Sequence, residues 1–121
     1  MKGETTMSIK VAKRNGVTIV KPNGKLIGPA VTELRDTILR EMQPERGGNP
    51  RLLFDLSHVS MMDSSALGML MDAYKSLLKW GGRVGVIHIS LNIDSLMVRS
   101  RLVGTFEHFD SENEAVTSLS V

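Results

Sequence analysis

The chain has 121 residues, of which 41% are hydrophobic and 23% charged, with 15 Lys and Arg against 13 Asp and Glu and no cysteine. That length fits one domain with a sizeable core, and the lack of cysteine excludes disulfide and thiolate chemistry. A formal net charge of +2, carried by scattered cations, lacks the basic run of a nucleic-acid tail.

Met1 to Met7 has no apolar core segment, so it does not read as a signal peptide. Residues 1–7 are expected to form a loose lead-in to a single domain over 8–121. Ser8 to Arg14 sets Ile9 and Val11 against Lys10 and Lys13, and Asn15-Gly16 follows, a strong hairpin signal. Val17 to Lys21 reads as the returning strand, which Pro22-Asn23-Gly24 closes or kinks. Gly28-Pro29 opens a helix, since the missing proline N–H falls in the first turn, where it would be unpaired anyway. Ala30, Leu34, Ile38 and Met42 mark the buried stripe of that helix, with Val31 and Leu39 beside it. Pro44 to Pro50 breaks it.

Arg51 to Leu56 reads as a buried strand and Ser57 to Met62 as a loop. A second helix runs from about Ser64 to Lys79, with Leu67, Leu70, Met71, Tyr74, Leu77 and Leu78 at helical spacing. Gly81-Gly82 stops it. Arg83 to Ile89 is a further strand, and Ser90 caps a third helix over Leu91 to about Arg101, ended by Leu102-Val103-Gly104. Thr105 to Phe109 is a short strand. Ser111-Glu112-Asn113-Glu114 is a capping-box pattern opening a last helix to Ser120.

The order ββαβαβαβα describes an α/β domain. Its mixed, mostly parallel sheet has four to five strands and is packed with about four helices. The functional edge is expected at the carboxyl ends of the strands. No apolar stretch reaches the roughly 18 residues of a membrane span, and a soluble cytoplasmic protein is the expectation.

Several chemistries can be weighed against the residues. The glycines of Gly81-Gly82-Arg83-Val84-Gly85 lie between a helix and a strand, whereas a dinucleotide fingerprint needs them between a strand and a helix. His58, His88 and His108 do not have the spacing of a helical metal pair. His58 could approach Asp63. Ser64 superficially resembles a nucleophile elbow, but Met62 and Ala66 stand where the Gly-x-Ser-x-Gly turn needs glycine. No metal, cofactor or enzymatic activity is therefore expected. Asp63, Ser64 and Ser65 form a run of three capping-competent residues at a helix start. One residue suffices as a cap, which leaves a spare hydroxyl where a phosphate would meet the positive end of the helix dipole.

Phe54-Asp55-Leu56-Ser57, Met62-Asp63-Ser64-Ser65-Ala66-Leu67-Gly68, Gly81-Gly82 and Arg101-Leu102-Val103-Gly104-Thr105-Phe106 together resemble a STAS domain of the anti-sigma factor antagonist type. The resemblance spans about Ser8 to Leu119. It implies that Ser64, directly after the aspartate, is a phosphoacceptor. The unphosphorylated protein would bind an anti-sigma factor that is also a GHKL-class serine kinase, freeing the sigma factor. The kinase would use ATP and Mg²⁺ to phosphorylate the serine, and a PP2C-type phosphatase would restore it.

The docking surface implied is Asp63, Ser65, Ala66, Leu67 and Gly68, with Met69, Asp72, Lys75 and Ser76 on an exposed flank. The loop residues Gly24, Lys25, Leu26 and Ile27 complete it. Ile27 stands where the family often has an aspartate, and Ala66 where glycine is commonest. The alternative is a STAS subunit that docks constitutively in a stressosome-like or lipid-transport assembly, without phosphorylation.

Overall fold

The computed structural model describes residues 7–42, 49–89 and 96–120. The elements are β1 (Met7–Arg14), β2 (Val17–Leu26), α1 (Pro29–Glu41), β3 (Arg51–Asp55), β4 (Val59–Met62), α2 (Ser64–Lys79), β5 (Arg83–Ile87), α3 (Leu96–Thr105), β6 (Glu107–Phe109) and α4 (Glu112–Leu119). They build one six-stranded sheet in the order β1-β2-β3-β5-β6, with β4 paired to β2. Among the described residues, only the opening hairpin is antiparallel. Its turn places Asn15 and Gly16 both at positive φ (51° and 81°), the twist that a tight two-residue hairpin requires.

β2 is the strand on which the site depends. Its first half pairs with β3 through Thr18, Ile19 and Val20, and its second half with β4 from Gly24 to Leu26. Pro22 falls in the gap between the two pairings, where neither neighbour needs the N–H that proline lacks. Pro22-Asn23-Gly24 therefore does not close the strand, which continues to Leu26. The Ser57–Met62 loop expected from the sequence is in part β4, whose burial (Val59 and Met62 in, Ser60 and Met61 out) lacks the alternation that signals a strand.

Side-chain alternation divides the interior into two cores. Val20, Leu52, Phe54 and Val86 face α1, α2, Leu102 and Phe106. Val17, Ile19, Leu53 and Ile87 face Ala115, Val116 and Leu119 of α4. Phe106 meets Phe54 and Tyr74 edge-on at centroid distances of 6.1 and 5.3 Å. Arg83 fastens the smaller layer, donating to Glu107 and to the Ser118 carbonyl.

Other boundaries differ from the sequence reading for local reasons. Met7 begins β1, opposite Gly24, rather than ending a loose segment. α3 continues past Leu102-Val103-Gly104 to Thr105, because Leu102 and Phe106, one turn apart, are both anchored in the core. β5 ends at Ile87, since His88 takes a left-handed φ of 55°. Leu39, beside the buried stripe of α1, and Leu78, in the apolar pattern of α2, are 45% and 48% exposed. The Ser90 cap, the start of the third helix, residues 1–6 and most of the Pro44–Pro50 breaker lie outside the described residues. No helix among those described is long and apolar enough to cross a membrane.

α2 ends as its glycines foretell. Gly81 has φ 76°, and the Gly81 and Gly82 N–H groups bond the Leu78 and Leu77 carbonyls at 3.0 and 2.8 Å. A Cβ on Gly82 would press into the Pro50 carbonyl oxygen. Gly82→Ala is therefore expected to lower stability by about 2 kcal/mol, read as a shift of the urea unfolding midpoint with an unchanged slope.

A candidate docking site at the start of α2

α2 starts where β4 delivers the chain to the carboxyl edge of the sheet. Its N-cap is Asp63, in an extended conformation. The Asp63 Oδ1 accepts from the Ala66 N–H at 2.9 Å and from the Ser65 hydroxyl at 2.8 Å. These bonds, the Ala66 N–H foremost and the Ser65 hydroxyl next, hold the Asp63 carboxyl below the ordinary value of 3.8. The capping run is thus resolved into separate roles. Asp63 caps, Ser65 is bound to the cap, and Ser64 occupies the first helical position. Ser64 is exposed, and its hydroxyl has no hydrogen-bond partner among the described residues.

The expected surface divides in the same way. Ser64, Ser65, Gly68, Asp72 and Lys75 are exposed, and Ser76 is partly so. Ala66 (0%) and Leu67 (8%) are core residues that hold α2 against the sheet. Met69, expected on the exposed flank, is likewise only 8% exposed, because α2 turns that side toward α1. In the β2–α1 segment, Lys25 is exposed and Ile27 half-buried, whereas Leu26 is wholly buried. The pairs Lys25–Met61 and Leu26–Met62 bring this segment beside Asp63. Met61, 46% exposed, joins the surface; it was illegible in the sequence because β4 was.

Beneath this edge lies a polar cluster that sequence reading missed. The Asp55 side chain, 4% exposed, lies 3.5 Å from Lys21 Nζ and 3.4 Å from His88 Nδ1, and accepts from the Ser57 N–H at 3.0 Å. Burial pushes the Asp55 carboxyl up, but the Ser57 hydrogen bonds together with Lys21 and His88 outweigh it, and the net shift is downward. Lys21, Ser57 and His88 are thus tied to one carboxylate, which fixes the crossing from β3 to β4. His58 does not reach Asp63; its Nδ1 lies 3.2 Å from Ser57 Oγ. No group of three or more His, Asp or Glu side chains among the described residues is placed to hold a metal ion.

The family model described as the STAS domain matches residues 8–115. The chain is 27% identical over 118 residues to an anti-sigma F factor antagonist from Paenibacillus polymyxa, covering 95% of this chain and 97% of that one. Among solved structures, a Thermotoga maritima protein assigned as an anti-sigma factor antagonist superposes with a TM-score of 0.77 at 20% identity, over 93% of this chain and 95% of the other. The Bacillus cell-fate determinant SpoIIAA in its phosphorylated form gives 0.67 at 20% identity, over 92% and 98%.

Removing the cap tests this geometry. Asp63→Ala should lower stability at neutral pH by about 1 kcal/mol. Because folding depresses the Asp63 pKa, its contribution is complete above 3.8 and is lost as pH falls through the folded value. The gap between variant and parent, measured by urea unfolding, should therefore narrow below about pH 4.

Proposed function

The chain belongs to the STAS domain family, and on that premise we propose that it is an anti-sigma factor antagonist switched by phosphorylation of Ser64. In this reading it is a regulator and a kinase substrate rather than an enzyme, and it works in the cytoplasm. The observation that carries the reading is the division of labour at the start of α2. Asp63 and Ser65 complete the cap, and the Ser64 hydroxyl is left exposed and unbonded.

Unphosphorylated, the chain docks through Ser64, Ser65, Gly68 and Asp72, with Lys25 and Ile27 beside them, onto an anti-sigma factor that is also a GHKL-class serine kinase. Docking releases the sigma factor. The kinase brings ATP and Mg²⁺ and transfers the γ-phosphoryl group to the Ser64 oxygen, whose proton leaves. A PP2C-type phosphatase hydrolyses the ester and resets the cycle. Phosphate adds roughly −1.5 to −2 charges and three acceptor oxygens. The helix dipole favours that charge and the neighbouring Asp63 opposes it, so the fold survives. The interface does not, because a doubly charged group in a packed contact must be desolvated or expelled. A fold of this type also exists in phosphorylated form, as SpoIIAA shows.

Incubation with a GHKL-class anti-sigma kinase and ATP should add one phosphate per chain, measured by intact mass, and Ser64→Ala should abolish the addition. Ser64→Asp should melt like the parent yet bind the kinase about tenfold more weakly. A stable complex without phosphoryl transfer would instead mark constitutive docking and overturn the switch.

A further inference from the structure

A groove of about 510 Å³ runs between α1 and α2, from Ser65 and Gly68 at one end to Trp80 at the other. Its walls are mainly apolar, and Leu39 and Trp80 along it remain 45% and 37% exposed. Arg35 stands on the α1 wall and Asp72 on the α2 wall, and no ion pair joins them. Arg35 lies 3.5 Å from its chain neighbour Asp36, with both side chains 57% exposed, and Asp72 has no ion pair among the described residues. Nothing lies within 4 Å of where a Gly68 Cβ would be. Glycine inside a helix costs about 1 kcal/mol relative to alanine, and nothing in the fold requires its small size here. A side chain at that position would only narrow the groove.

We propose that this groove is a self-association face, in which a second copy of the chain packs its α1 ridge into the α1–α2 groove of the first. The charges identify the occupant. A two-fold interface must be self-complementary, each residue meeting its counterpart reciprocally. One cation on one wall and one anion on the other meet that condition, giving two Arg35–Asp72 pairs related by the axis. Thr32, Arg35 and Leu39 form a ridge along the lip of α1, spaced to enter a groove between helices. A net charge of only +2 leaves little repulsion between copies. The face shares Ser65, Gly68 and Asp72 with the proposed kinase-docking surface. If the reading of that surface holds, self-association and kinase docking exclude one another. Self-association itself does not depend on that reading.

Sedimentation equilibrium of the full chain should show a reversible shift from 13.3 kDa toward twice that mass with rising concentration. The emission of Trp80, the chain's single tryptophan, should move to the blue over the same range. Arg35→Glu and Asp72→Arg should each weaken association about tenfold. An equimolar mixture of the two variants should restore it, because each supplies the charge that the other lacks. That rescue cannot come from misfolded chains, and matching melting curves check the variants separately. A chain that stays monomeric to about 1 mM, or a dimer indifferent to both substitutions and to their mixing, overturns the proposal. Failure of Ser64 to accept phosphate while the dimer forms overturns the switch and leaves the groove assignment standing.

Discussion

A single carboxylate oxygen organises the working end of this molecule. The Asp63 Oδ1 accepts both the Ala66 N–H and the Ser65 hydroxyl. It thereby closes the first turn of α2 and engages the hydroxyl of one of two adjacent serines, leaving the other unbonded. A serine at the capping position would have spent its own oxygen on a backbone N–H. With an aspartate there, the helix start is already satisfied and the neighbouring hydroxyl is surplus to the fold. Chemistry at that hydroxyl can then change the surface charge without dismantling the helix beneath it.

The cap is only as well placed as the chain that leads to it. β4 is short, and it is positioned by its pairing to the second half of β2 and by the Asp55 cluster just before it. Lys21, Ser57 and His88 converge on that buried carboxylate from three different segments. A charge taken out of water needs such company, since an unpaired buried carboxylate would be strongly unfavourable. The hydrophobic floor of Ala66, Leu67 and Leu70 completes the support, holding α2 while its first turn faces outward.

Much of this was legible in the residues, and the parts that were not share a cause. The hairpin, α1, α2 and the glycine stop at Gly81-Gly82 are written in short-range chemistry: a two-residue turn, a proline in the first turn, apolar positions at helical spacing and a left-handed stop. The STAS resemblance and the exposed serine motif were equally visible. β4 was not, because it is too short to show a period and its identity depends on β2 lying beside it. The continuation of α3 past Gly104 follows from Leu102 and Phe106 being anchored in tertiary contacts, which no local rule contains. Met69 was assigned to the wrong side because α2 packs against α1 as well as the sheet, which widens its buried arc. The Asp55 cluster unites residues 21, 55, 57 and 88, which only the fold makes neighbours.

The sheet is also a partition. Ile19 and Leu53 contact α4, whereas Val20 and Phe54, one residue along, contact the layer that carries α2. The α4 layer, fastened by Arg83, has no part in presenting Ser64. Its buried side, Ala115, Val116 and Leu119, is committed to the smaller core, and the strands between keep that core apart from the face that carries α2. A substitution at an exposed position of α4 therefore reaches the start of α2 only through the thickness of the sheet.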